Sequence, residues 1–331
     1  MAWSGGLAEW TEGDTAFLSV AFSWRLPDAF QRAVWYREQG YRVRAGGVGL
    51  FARKNYLAEV AEIGGDVDAL IHHNSQATIA SRGCPVGCYF CIVPKMEGKQ
   101  FTLLPDFTPR PILCDNNLSA LPVDYQNYII EKYQKFNVPL LDANSGFEPM
   151  TFDDGTYRRW KAINKGAWRF AYDETKEGDD VHKVAMILKD EPASSKRVYV
   201  LIGNEPFEAC HRRILQVIEW GCEPHVQPLI ALNSLLRRPI VRHDWTEQKL
   251  KDLARWSNRW LWRSFPFSEY GTPSNNRLQP TACTQASFPP PMFFEEECII
   301  FDEEDAVHTC ATCGSALQLV RPGRYQCPRC E

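Results

Sequence analysis

Three thiols within eight residues constrain this chain more than anything else in it: Cys84, Cys88 and Cys91, spaced C-x3-C-x2-C inside Ser81-Arg82-Gly83-Cys84-Pro85-Val86-Gly87-Cys88-Tyr89-Phe90-Cys91. Thiolates gathered this densely ask for a metal. The loop has no fourth cysteine, so a four-iron cluster held here keeps one iron free of protein, whereas a closed tetrahedral zinc site needs a ligand from elsewhere. Gly83, Pro85 and Gly87 suit a loop that wraps a cluster, because close approach of backbone N–H groups to sulfur demands unusual dihedrals. The plainer alternatives are a zinc knuckle or three unrelated core cysteines.

The rest of the composition narrows the setting. With 331 residues, 44% of them hydrophobic and 24% charged, the chain accommodates one large domain and a small appendage, and wholesale disorder is excluded. A net charge of −4 gives no global attraction to polyanions, which argues against a simple DNA binder. No stretch approaches the ~18 uninterrupted apolar residues of a membrane span, and the N-terminus lacks the pattern of a secretory signal, so a cytoplasmic protein without a membrane partner is expected. Seven of the 12 cysteines fall in two metal-type clusters, which fits a reducing compartment; Cys114, Cys210, Cys222, Cys283 and Cys298 are scattered and read as structural.

Cys84, Cys88, Phe90 and Cys91 match the C-x3-C-x-aromatic-C signature, and the loop resembles that of the radical S-adenosylmethionine (SAM) superfamily. The resemblance implies a [4Fe-4S] cluster on the three cysteines, S-adenosyl-L-methionine chelated to the open iron, and reductive cleavage to a 5'-deoxyadenosyl radical acting on an unknown substrate. It also implies an electron donor such as flavodoxin or ferredoxin.

Taken in order, Thr15 to Phe22 reads as a strand, Pro27 opens a helix ending at Gly40, and Tyr41 to Arg44 is a second strand closed by Gly46-Gly47-Val48-Gly49. This βαβ extension, residues 1–75, is similar to a shortened cobalamin-binding-type domain, but it lacks the Asp-x-His-x-x-Gly motif, so cobalt ligation by a protein histidine is not expected. Gln76 to Ala80 leads into the cysteine loop as a first strand. Five more strand patterns alternate with helices: Pro111 to Cys114, Val138 to Leu141, Trp168 to Tyr172, Arg197 to Ile202 and His225 to Ile230. The fold class expected is α/β, and the resemblance makes residues 76–270 a partial (β/α)6 TIM-like barrel.

Barrels keep their chemistry at the C-terminal ends of strands. There the chain carries Asp115 and Asn116, Asp142 and Asn144, Asp173 and Glu174, and Asn204 and Glu205. The family's Gly-Gly-Glu is absent after the second strand, so its role in holding the methionyl ammonium passes to Asp115 and Asn116. Phe90, Asp173 and Glu174 join them as cofactor contacts, and Gly203 resembles the glycine beside adenine. Asp244 to Trp262 reads as a helix whose tryptophans cover the barrel, with base stacking beside Arg255, Arg259 and Arg263 as the alternative.

Residues 271–305 read as a Pro- and Ser-rich, then acidic, linker. Beyond it, residues 306–331 carry Cys310, Cys313, Cys327 and Cys330 as two C-x2-C knuckles that resemble a zinc ribbon turning at Pro322-Gly323, with structural Zn2+ expected and a rubredoxin-like iron site as rival. Within the enzyme class the ribbon suggests an RNA or nucleotide substrate, as in tRNA modification, and the N-terminal segment suggests cobalamin-dependent methyl transfer. From another class, a non-catalytic zinc protein could use both cysteine clusters to bind nucleic acid or a partner. Because a flexible linker couples its ends weakly, a chain truncated after Tyr270 is expected to retain iron and SAM cleavage while losing zinc and substrate affinity. Loss of iron from the folded truncated protein would make the ribbon part of the active site.

Overall fold

The computed structural model describes residues 3–64, 68–271, 299–300, 318–321 and 324–326. Two compact units divide the chain: residues 1–75 with 230–238 and 299–331, and residues 76–229 with 239–298.

The first unit is built on a four-stranded sheet. β1 (Leu7–Glu12) and β2 (Thr15–Val20) form an antiparallel hairpin, and α1 (Leu26–Glu38) crosses over to β3 (Arg42–Gly46), which runs parallel to β2. After α2 (Val48–Phe51), β4 (Glu62–Ile63) pairs parallel with β3, and α3 (Leu70–His73) follows. Residues of alternate sign in β2 and β3, such as Ala16, Leu18, Val43 and Ala45, bury with Leu26, Ala29 and Ala33 of α1, as the period of two against that of 3.6 requires. The expected βαβ is thus embedded in a larger sheet whose β1 was hidden by its polar alternation.

Gly47 (φ +104°) and Gly49 do not line a ligand cradle. A Cβ at either position would run into the backbone of Val20 or Phe22, so the two turns press directly together. The edge beside them is filled by residues 230–238: Ser23 Oγ donates to the Ser234 carbonyl (2.6 Å), Arg53 Nε donates to the Asn233 carbonyl (2.7 Å), and Leu235 packs on the apolar core. Crevices at the C-terminal edge of parallel strands are where such sheets bind cofactors; here the chain occupies its own.

In the second unit, β5 (Ala77–Thr78) leads to β6 (Ser81–Arg82), α4 (Val93–Met96) and β7 (Thr102–Leu103). β8 (Ile112–Leu113), α5 (Val123–Lys135), β9 (Asp142–Ala143) and α6 (Asp154–Lys161) come next. β10 (Trp168–Tyr172), α7 (Gly178–Ile187), β11 (Lys196–Ile202), α8 (Phe207–Glu219), β12 (Glu223–Pro228) and α9 (Glu247–Asn258) complete it. The strands form two three-stranded parallel sheets, β5-β8-β9 and β10-β11-β12. Backbone bonds from Phe147 N to the Arg169 carbonyl (2.9 Å) and from Lys165 N to the Leu140 carbonyl (2.8 Å) tie β9 to β10. The architecture is mixed α/β, with no closed barrel among the described residues.

Several boundaries differ from the sequence reading. The third strand is β9, not Val138 to Leu141: Pro139 has no N–H for a ladder, Leu140 makes one bridge to Asn164, and Leu141 is 52% exposed. The helix expected over Asp244 to Trp262 ends at Asn258, because Trp260 adopts φ +53°. α9 nevertheless covers β12 as expected, burying Leu250, Leu253 and Trp256. Short α6 was unforeseen; Asp153 caps it by accepting from Thr156 N (2.7 Å). β13 (Ile230–Ala231) pairs with β14 (Ile299–Ile300), and β15 (Gln318–Arg321) with antiparallel β16 (Arg324–Gln326). The remainder of the expected linker and the four ribbon cysteines lie outside the described residues.

His73 anchors the first unit, its ring nitrogens bonded to Ser4 Oγ (2.6 Å) and Ser19 Oγ (2.9 Å). Burial, then the neighbouring His72, lowers its pKa to about 4. The folded form therefore resists protonation, and its stability falls as pH drops from the unfolded value of about 6.5 towards 4, by about 3 kcal/mol. Protection factors in the β1–β2 hairpin, which divide out the intrinsic slowing of amide exchange at low pH, should fall over that window in the parent and less in His73→Gln; parallel pH curves would remove His73 from this account.

Candidate metal centre

The cysteine loop is closed at its base by β6 and β7, whose antiparallel register pairs Ser81 with Leu103 and Arg82 with Thr102. Asp115 fixes the strand that enters it. This carboxylate is 1% exposed and accepts from Ala80 N (2.8 Å) and Ser81 Oγ (2.5 Å); burial raises its pKa to about 6 against those bonds. Across the loop, Glu97 accepts from Gly83 N (2.8 Å), Arg82 (3.1 Å) and Asn116 Nδ2 (2.7 Å). Gly83 sits at φ +85°, where a Cβ would collide with the Gln100 carbonyl, so this position needs glycine.

Inside that frame Cys91 N donates to the Cys88 carbonyl (3.1 Å), Cys84 N to the Gly98 carbonyl (3.3 Å), and Asn117 Nδ2 to Cys84 Sγ (3.7 Å). The thiols feel one another and an acidic surround. Burial, followed by Asp173, Cys91, Glu148 and Cys84, pushes Cys88 up to about 12. Burial pushes Cys91 up to about 11, against a bond from the Val93 backbone and with Cys84, Asp173 and Glu97 adding to the rise. Cys88 and Cys91, half-buried thiols that resist ionisation, are what a cationic iron or zinc centre would convert to thiolates, and with Cys84 the donor set fits a metal. Among the described residues no three His, Cys, Asp or Glu side chains already converge on one point. A metal held here would gather the three sulfurs as it binds.

The ends of β10 and β11 come up to this loop. Asp173 is buried, and desolvation, then Glu177, holds its carboxyl up at about 8. Its carbonyl accepts from Asn204 Nδ2 (2.5 Å), and Asn204 also bonds the phenol of Tyr89, which Glu174 and Asp173 push upward after burial. Glu174 shares a capping box with Glu177 and pairs with Lys176 (2.5 Å). Gly203 lies at φ +91° beside Asn204. Fully buried Arg213 knits these ends: it donates to the carbonyls of Tyr172 and Leu201 and pairs with Glu205 (3.0 Å).

Of the residues singled out from sequence, Asp173 and Glu174 thus meet the cysteine loop, and Phe90 is buried within it, edge-on to Tyr89. Asp115 and Asn116 lie at its base with their polar atoms turned to Ala80, Ser81 and Glu97, so the structure gives both a bracing part. Asp142 and Asn144 both engage Arg169, at 3.0 and 3.1 Å. Glu97 and Glu148 carry no sequence signal because their partners are distant in the chain, whereas Asn117 stands in the run with Asp115 and Asn116 that the sequence does single out.

No family model matches the chain, and a search of curated proteins finds no significant relative.

Glu97 is the hinge pin of the loop. In Glu97→Ala the three donors lose their acceptor, costing about 2 kcal/mol of local stability. Amide exchange at Gly83 should accelerate by roughly 30-fold with little change in global unfolding; unchanged exchange there would refute the bracing role.

Proposed function

We propose that this chain is a radical SAM enzyme, with a [4Fe-4S] cluster on Cys84, Cys88 and Cys91 and S-adenosyl-L-methionine bound at the open iron. The observation that carries the reading is the C-x3-C-x2-C loop that follows β5 and β6 in a unit holding two three-stranded parallel sheets, with Asp173 after β10 near enough to raise the Cys88 thiol. We read the six strands as a partial (β/α)6 barrel.

When bound, the cluster and its cofactor supply one-electron chemistry able to break an unactivated C–H bond. The chain supplies the rest. Three thiolates bind the cluster, and the absence of a fourth cysteine in the loop leaves one iron for an exogenous ligand. Asn117 donates towards the Cys84 sulfur, the kind of bond that tunes a cluster's potential. Glu148, Asp173 and Glu174 bring carboxyl groups to this end, and a cationic ligand, as an ammonium or sulfonium is, would favour their ionised forms. Phe90 is buried in the loop, edge-on to the exposed Tyr89. The four C-terminal cysteines form a structural zinc ribbon in this reading, and a flavodoxin or ferredoxin delivers the electron.

Anaerobic reconstitution with iron and sulfide is the test. The parent should take up about four irons in the loop, turn brown and cleave SAM under reduction. Replacement of Cys84, Cys88 and Cys91 together by alanine should abolish that absorption and the cleavage without unfolding the chain. Unchanged iron in the triple variant overturns the assignment, and a parent that binds only zinc and leaves SAM intact makes the chain a non-catalytic zinc protein.

A further inference from the structure

The four-stranded sheet of the first unit ends on β1, and among the described residues nothing pairs with the outer side of that strand. The turn after it shows which groups the outer side presents. Gly13 takes φ +58°, and the two-residue turn Gly13-Asp14 makes Glu12 and Thr15 a hydrogen-bonded pair. Alternation then directs the backbone N–H and C=O groups of Trp10 and Ala8 towards β2, and those of Thr11, Glu9 and Leu7 outward.

Edge strands are normally blunted by proline, lysine or a bulge. β1, Leu7-Ala8-Glu9-Trp10-Thr11-Glu12, has neither residue and keeps register with β2 through all six pairs. Its charges are already partnered: Arg32 donates to Glu9 (2.7 Å), and the Trp10 indole donates to Glu12 (3.1 Å). Alongside β1 lies a cleft of about 370 Å³, lined by Leu7 and Glu9 of the strand and by Arg25, Asp28, Gln31 and Arg32 along α1. Trp35 continues that side of the helix; it is 43% exposed, with the Arg32 guanidinium 4.5 Å from its ring. Two cations and two anions face the cleft, a net charge of zero (2 − 2).

We propose that β1 pairs antiparallel with β1 of a second copy of this chain, joining two four-stranded sheets into one about a two-fold axis. A balanced cleft gives a strongly acidic or basic segment nothing to prefer. An unpaired strand edge, by contrast, is complementary to itself, because a copy turned about a two-fold axis offers its donors to the same acceptors. Charge selects the register. An axis through Trp10 sets Glu9 opposite Thr11 and Ala8 opposite Glu12, whereas an axis through Glu9 would oppose two carboxylates. Glu9 and Thr11 then exchange both of their outward backbone bonds, and Thr11 of the copy stands beside Glu9 and Arg32 at the cleft. At the far edge of the sheet β4 has two residues, too few to extend the pairing, so assembly closes at two copies. The dimer needs no cluster and is independent of the function proposed above.

Sedimentation of the full-length protein, with reductant present, is followed from roughly 1 to 100 µM, and protection factors of the β1 amides are measured at both ends of that range. A monomer–dimer equilibrium should appear, with a dissociation constant at or below roughly 100 µM. Protection should rise with concentration at Leu7, Glu9 and Thr11 and stay level at Ala8, Trp10 and Glu12, an alternation that no other interface produces. Thr11→Pro removes one outward N–H and no bond to β2, and should weaken the dimer at least about ten-fold. The amide readout on the parent stands even where that variant folds poorly. A monomer throughout, or a dimer that leaves the β1 amides unchanged, overturns the proposal. Outward amides already protected in the monomer would also overturn it and assign the edge to a segment of the same chain.

Discussion

A loop can hold three thiols at the edge of a sheet only if both of its flanks are pinned, and in this protein two carboxylates do that work. Asp115, nearly sealed from solvent, is kept in place by Ala80 N and Ser81 Oγ, and the desolvation that lifts its pKa to about 6 shows how much those bonds must offset. Glu97 gathers the other flank through Gly83, Arg82 and Asn116. Their partners come from β6, from the loop and from the segment after β8, so losing either carboxylate would orphan donors on several elements together.

The same logic operates at the strand ends. Arg213 lies on the apolar face of α8 among Cys210, Ile214 and Val217, a position that a charged residue tolerates only when fully partnered. Its guanidinium finds the carbonyls of Tyr172 and Leu201 together with Glu205, and so fixes the spacing of β10 and β11 at the level where Asp173 and Asn204 approach the cysteine loop. The acid-rich edge is therefore rigid because a buried cation is bound from several directions. Burial, with the acidic neighbours adding to it, keeps Cys88 and Cys91 protonated where no positive centre faces them.

Sequence revealed what depends on local chemistry. The cysteine spacing, the strand β11 with its run of β-branched residues, and α8 after Pro206 are all legible because neighbours in the chain decide them. The short strands β5, β8 and β9 were placed only roughly, since two-residue strands are defined by their partners more than by their own residues. The part played by Asp115 shows the limit most clearly: a carboxylate after a strand reads as a ligand contact or a cap, and only packing reveals that it faces back towards Ser81. Nor does any pattern announce that Arg169 and Arg197 would align, because register is a property of the sheet.

The strap of residues 230–238 has a consequence for how the molecule comes into being. Ser23 meets its partner Ser234 across 211 positions of chain, and Arg53 meets Asn233 across 180. On the ribosome, the N-terminal sheet emerges first yet must wait with an open edge until residues 76–229 of the second unit have been made. Synthesis order and completion order are thereby inverted: the part that is born earliest is finished among the last, and the closing of its crevice reports that the strands beyond it have been delivered.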